Sequence, residues 1–74
     1  MSILPMMSAR EVMRKLERAG FRFLYAKGSH HYYHNRDSDR ITSVPMHGRK
    51  DIGRGLLRKI IKQSGLSIGE FLEL

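Results

Sequence analysis

Two adjacent histidines behind a glycine, in Lys27-Gly28-Ser29-His30-His31, are the residues of this chain best suited to chemistry. Imidazole is the side chain whose unperturbed pKa lies near neutrality, so a histidine can both take and give a proton at cellular pH. Glycine lets the backbone turn sharply or approach a ligand closely. Tyr32, Tyr33 and His34 continue a β-prone run. The pair is therefore expected where a turn leads into a strand, held rigidly yet open to solvent. A His-His pair in a surface strand is also common polar decoration, so its meaning depends on its surroundings.

The four histidines His30, His31, His34 and His47 invite a zinc reading. Strand geometry argues against it. At about 3.3 Å per residue, His30 and His34 share a face but stand roughly 13 Å apart, while His30 and His31 point to opposite faces. No cysteine or nearby carboxylate completes a ligand set, so no metal or other cofactor is expected.

Metal-free acid–base work on RNA fits better. RNA carries its own nucleophile, the 2′-hydroxyl. A base removes its proton, the oxygen attacks the adjacent phosphorus, and an acid protonates the departing 5′ oxygen. That reaction needs a group titrating near neutrality, cations at the non-bridging oxygens and a means of holding the strand in line. His30 or His31 supplies the first. Lys27, Arg49, Lys50 and Arg54 supply the second if the turns converge, and the backbone N–H groups of Gly28 and Ser29 supply the third. Tyr25, Tyr32 and Tyr33 offer rings that stack on bases, although at least one tyrosine on each strand is expected in the core with its hydroxyl at the edge.

The charge of the chain points the same way. Its 74 residues make one thin-cored domain, and 14 Lys and Arg against 7 Asp and Glu leave a formal net charge of +7. Such an excess favours an anionic partner: nucleic acid first, an acidic protein second, a membrane surface last. With no cysteine there is no disulfide. No signal peptide or membrane span is apparent, so a cytoplasmic protein is the default.

The elements that position these residues follow in order. Residues 1–7 read as a flexible leader, with Met6 or Met7 a possible start of the folded part, and 8–74 as the domain. Ser8-Ala9-Arg10-Glu11 is a capping box, and Val12, Met13, Leu16 and Ala19 recur at helical spacing, so a helix is predicted over 9–19, closed by Gly20. Its charged face reads as solvated. Aromatics alternate from Phe21 to Tyr25, predicting a strand over 21–26. A second strand is expected over 29–34, a hairpin loop over 35–39 and a third strand over 40–46, with Pro45 tolerable near a strand end. Asp51 can cap a helix over 53–64 whose apolar stripe is Leu56, Leu57, Ile60 and Ile61, closed by Gly65. Its polar half, with Arg58, Lys59 and Lys62, is placed to follow phosphates. Ser67-Ile68-Gly69-Glu70 starts a short last helix. The fold class is α+β, a two-layer α-β-β-β-α sandwich with one wet sheet face, the order found in double-stranded-RNA-binding domains.

Read together, Ser8-Ala9-Arg10-Glu11-Val12, Gly20-Phe21, Lys27-Gly28-Ser29-His30-His31, Val44-Pro45-Met46-His47-Gly48 and the run from Leu57 to Ser67 resemble the HicA family of bacterial toxins. The resemblance covers essentially the whole chain after Met7. It implies an mRNA interferase with a double-stranded-RNA-binding-like fold, acting without the ribosome through one histidine of the Gly-Ser-His-His segment. It also implies neutralisation by a HicB-type antitoxin that covers this histidine. Carried over, Gly28 and His30 lead, His31 stays in play, and His47 of the later Pro-x-His joins the RNA-binding set. The segment from Ile41 to Pro45 is one residue longer than the usual strand, which suggests a β-bulge there. An RNA-binding module of the same fold without cleavage, and a basic domain that docks only an acidic protein, are the competing readings.

Overall fold

The structure, a computed structural model, describes residues 4–48 and 50–74. Helix α1 (Ala9–Arg18) begins where Ser8 Oγ accepts the Glu11 amide at 3.1 Å, the serine half of the expected capping box, and ends at the Ala19 cap. Its buried face is Ala9, Val12 and Leu16. The charged face is not wholly solvated: Lys15 Nζ donates to the backbone oxygens of Leu72 and Leu74 at 3.1 and 2.9 Å, tying α1 to the C-terminal helix. A lysine at that point also suits the negative end of the helix it reaches.

Strand β1 (Met7–Ser8) and strand β5 (Asp51–Ile52) form a two-residue antiparallel ribbon, pairing Met7 with Ile52 and Ser8 with Asp51. The leader expected through Met7 therefore does not describe residues 4–7. Leu4 is 2 % exposed and Met7 is buried, and both belong to the core. Residues 1–3 of that leader lie outside the described residues. Asp51, expected to cap the second helix, is instead a strand residue; Gly53 occupies the cap position with no side-chain bond.

The main sheet has the order β2 (Phe21–Lys27), β3 (His30–Asn35), β4 (Arg40–Pro45), antiparallel throughout. The β3–β4 register runs unbroken from Asn35 opposite Arg40 to His30 opposite Pro45, so the bulge expected between Ile41 and Pro45 does not form. The irregularity is in β2: Phe23 pairs with Tyr33 but Tyr25 with Tyr32, leaving Leu24 extra. One inserted residue swaps the faces of everything after it. Phe21 and Phe23 thus share the inner face with Tyr33, whereas Tyr25 and Lys27 share the outer face with Tyr32 and His30.

Both layers follow from this register. Phe21, Tyr33, Thr42 and Val44 are buried on the inner face, against α1 and against helix α2 (Arg54–Ser64), which flanks β4. Tyr33 is the core tyrosine expected on β3; on β2 that place is taken by Phe21, and Tyr25 is 48 % exposed. Burial, followed by the nearby Glu17 carboxylate, pushes the Tyr33 hydroxyl above the ordinary tyrosine range. Of the expected apolar stripe on α2, Leu57, Ile60 and Ile61 are buried, but Leu56 is 41 % exposed. Gly65 ends α2 at φ +81°, and helix α3 (Ile68–Leu72) starts from a complete capping box between Ser67 and Glu70. The amide and hydroxyl of Ser67 hold the Glu70 carboxyl below its usual range. Among the described residues, no helix is long and apolar enough to cross a membrane.

Candidate functional site

The candidate site begins at the turn between β2 and β3. Only Gly28 and Ser29 separate the paired residues Lys27 and His30, and Gly28 has φ +61°. A positive φ at the first position of a two-residue turn matches the right-handed twist of the strands, and glycine takes it without strain. The Ser29 carbonyl accepts the Met46 amide at 2.7 Å, continuing the ladder onto the segment after β4. No backbone bond among the described residues uses the N–H of Gly28 or Ser29, so both stay open as donors.

The Ser29–Met46 bond also sets the alternation in the β3–β4 pair. Hydrogen-bonded positions fall on 29/46, 31/44, 33/42 and 35/40, so His30 and Pro45 are a non-hydrogen-bonded pair. The missing proline N–H then costs no bond in the ladder. It also brings His30 close to Pro45, since side chains approach most closely at such positions.

From this corner a cleft of about 320 Å³ opens between the outer side of β4 and α2. It is lined by His30, Ser43, Pro45 and His47 on one side and Leu56, Lys59, Ile60 and Gln63 on the other. The rings of His30 and His47 stand edge to face, 6.5 Å between centroids, and both residues are exposed. The Thr42 hydroxyl donates to Gln63 Oε1 at 2.9 Å, which fixes α2 against β4. A second, smaller pocket shares Pro45, His47 and Leu56 with the cleft and is also lined by Lys50, Asp51 and Gly53. The segment bearing His47 is closed by the Lys50 amide on the His47 carbonyl at 3.2 Å and held downstream by the β1–β5 ribbon.

The residues named from the sequence are only partly brought together. His30 and His47 line the cleft together, Lys27 and the Gly28-Ser29 turn adjoin His30 through the β2–β3 hairpin, and Lys50 lines the neighbouring pocket with His47. His31 points to the opposite face, half-buried, with its ring 5.9 Å from that of Phe23 and its Nδ1–H donating to the Ser29 carbonyl at 3.3 Å. Arg54 is engaged elsewhere: its Nε donates to the Leu4 carbonyl at 2.7 Å. Arg49 lies outside the described residues. His34 Nε2–H donates to the Asp39 carboxylate at 2.9 Å, at the far end of the same strand. Ser43, Leu56 and Gln63 were not singled out for the site, and Lys59 only as one cation of a helix face placed to follow phosphates. Their signal is faint in the sequence, because it lies only in the rotation of α2 against β4.

Electrostatics favour an anion here. The three strands of the main sheet contain no Asp or Glu, while Arg22, Lys27, His30 and His34 occupy the outer face. Lys59 adds a cation from the facing helix. A phosphate group in the cleft would meet the Lys59 ammonium on the helix wall and two imidazoles at one end.

The family described as "HicA toxin of bacterial toxin-antitoxin" matches residues 9–66. A protein of Pseudomonas fluorescens (strain Pf0-1) named "Probable mRNA interferase HicA" is 38 % identical over 60 residues, covering 81 % of this chain and 97 % of that protein. The matched region takes in the turn at Gly28, both cleft histidines and all of α2. The chain belongs to the HicA family of toxins of bacterial toxin–antitoxin systems.

Proposed function

We propose that this toxin is a metal-independent endoribonuclease that cleaves mRNA, with His30 and His47 sharing the two proton transfers. The observation that carries the reading is the pair of exposed imidazoles, 6.5 Å between ring centroids, at one end of a cleft that Lys59 lines from the facing helix. An in-line displacement places the attacking 2′ oxygen and the departing 5′ oxygen on opposite sides of phosphorus. Two hydrogen bonds of about 3 Å and the span of the phosphorus fit between groups roughly 6–9 Å apart. One imidazole takes the 2′-hydroxyl proton as the O2′–P bond forms. The other gives a proton to the 5′ oxygen as the P–O5′ bond breaks, leaving a 2′,3′-cyclic phosphate. Lys59 and the open amides at Gly28 and Ser29 supply charge and donors for the non-bridging oxygens.

The same cleft is the proposed target of an antitoxin of the HicB type. An acidic surface seated over His30 would shield the imidazoles and offset a chain of net charge +7. Pull-down from the native host is expected to recover a small acidic protein, released by salt; recovery of RNA alone would count against it.

Incubating an RNA oligonucleotide with the purified toxin in excess EDTA tests the chemistry. Cleavage should persist, with 2′,3′-cyclic phosphate ends seen by mass spectrometry. Either histidine replaced by alanine should slow it by roughly 100- to 10,000-fold. A product-free gel after prolonged incubation, with the RNA still bound, would reduce the protein to a binding module.

A further inference from the structure

We infer that Tyr25 and Tyr32 form a stacking platform for an unpaired base next to the cleavage cleft, so that the substrate is single-stranded RNA. This rests on the ribonuclease reading for its place in the reaction, but the binding site stands on its own geometry. The two rings lie face to face, 4.6 Å between centroids and 13° from parallel. They are on the face of the sheet opposite the buried Phe21, Tyr33, Thr42 and Val44, where Tyr25 is 48 % exposed and Tyr32 half-buried.

Tyr25 reaches that face only because of the extra residue at Leu24. Without it, the alternation of Phe21, Phe23 and Tyr25 would keep all three rings on the inner side. Neither ring's second face meets another aromatic ring among the described residues. The register partner of Tyr32 across β4 is Ser43, a side chain too short to cover a ring, and Ser43 lines the cleft. A base laid on the pair therefore has an open path to His30, two residues away on the same face of β3, roughly 7 Å along the strand. That is about the reach of one extended nucleotide.

Charge selects the occupant. Lys27 and Arg22 flank Tyr25 on the outer face, and no Asp or Glu occurs in any of the three strands. An exposed tyrosine stacked on a half-buried one, among cations, fits a polyanion whose units carry flat rings. Base stacking on an aromatic side chain is tolerant of sequence but requires the base to be unpaired. A duplex presents its phosphates and grooves while its base faces are occupied. The α-β-β-β-α order thus does not dictate duplex recognition in this chain; its sheet face is built for loops and single strands.

The test uses the full chain and a labelled, uncleavable 2′-O-methyl RNA oligonucleotide, alone and annealed to its complement. Wild type should bind the unpaired form at least tenfold more tightly. Tyr25→Ala should weaken that binding by roughly 5- to 150-fold and leave duplex binding unchanged, with Tyr25→Phe close to wild type. Tyr25→Leu, which keeps apolar bulk without a π face, should behave like Tyr25→Ala, and Tyr25→Trp should bind with quenched fluorescence. Unchanged affinity in both the alanine and leucine variants overturns the platform, as does preferential binding of the duplex. So does a result in which these variants lose only the antitoxin, which would make the face a protein-docking surface. Cutting of natural RNA is scored separately. If RNA is cut but Tyr25→Ala leaves KM unchanged, the platform fails and the ribonuclease stands. If nothing is cut but the tyrosine dependence of binding holds, the reverse is true.

Discussion

Replacing each of the adjacent histidines in turn separates chemistry from packing. His30 is exposed and lines the cleft, and its imidazole makes no hydrogen bond among the described residues. His30→Ala should cost no more than about 0.5 kcal/mol of stability, a fall of at most about 4 °C in Tm for a domain this small. Its cost to cleavage should be far larger. Loss of a proton-transfer group slows reaction by roughly 100- to 10,000-fold, or about 2.7–5.5 kcal/mol in the barrier. His31 should show the opposite profile. Removing its ring forfeits the bond to the Ser29 carbonyl, about 1 kcal/mol, and the contact with Phe23, about 0.5–1.5 kcal/mol. The sum of roughly 1.5–2.5 kcal/mol corresponds to a Tm lower by about 6–20 °C. Below that midpoint His31→Ala should still cut RNA within a few-fold of wild type. The assay is the initial rate on a fluorogenic RNA oligonucleotide at a temperature where circular dichroism shows both variants folded. A folded His31→Ala that loses a hundredfold or more, beside a His30→Ala that stays within tenfold of wild type, would refute the assignment of chemistry to the outer face.

Three further outcomes follow from the same geometry. Because its proton is held more tightly in the native state, Tyr33 contributes stability that is complete below the unfolded tyrosine pKa of about 10 and is lost as pH rises through the higher folded value; melts at rising pH should show wild type losing more stability there than Tyr33→Phe, and parallel curves would contradict it. Gly28→Ala meets no atom within 4 Å but must adopt φ +61°, so it should lose about 1–2 kcal/mol from backbone strain alone, read as a lower midpoint in urea, with an unchanged midpoint counting against the turn geometry. Leu57→Ala opens a cavity in the core and should cost about 2–5 kcal/mol, whereas Leu56→Ala should scarcely move the melting point but should alter KM, because Leu56 is a wall of the cleft.

What was legible in the sequence were features that act locally. Ser8 and Ser67 announce helix starts through a hydroxyl facing free amides, and Gly65 marks an end where φ must turn positive. The turn at Gly28-Ser29, and with it the emergence of His30 at a strand start, was also there to read. The bulge at Leu24 was not, because aromatics at 21, 23 and 25 have the period of one unbroken face. Two constraints conflict: the turn pairs Lys27 with His30, while Phe21 and Phe23 seek the core. Only an extra residue reconciles them. The β1–β5 ribbon was equally hidden. Two residues per strand carry no periodicity, and Pro5 made the preceding segment look detached although Leu4 is sealed in the core. Leu56 and Leu57 are indistinguishable by type; only the rotation of α2 against β4 sends one to the cleft and the other to the interior.

The cleft depends on contacts distant in sequence from its histidines. Its helical wall is joined to its strand wall by the buried side chains of Leu57 and Ile60 and by the Thr42–Gln63 hydrogen bond. The loop that presents His47 is pinned by β5, and among the described residues β5 pairs only with residues 7–8. The start of α2 is held by Arg54 on the Leu4 carbonyl, so a guanidinium suited to a phosphate serves instead to seat the N-terminal segment. A reacting phosphate tolerates errors of only a fraction of an ångström between acid and base. In so small a domain that accuracy cannot come from a deep core, so it comes from these few cross-links. Disturbing Thr42, Leu4 or the ribbon should therefore weaken catalysis while both imidazoles remain in the chain.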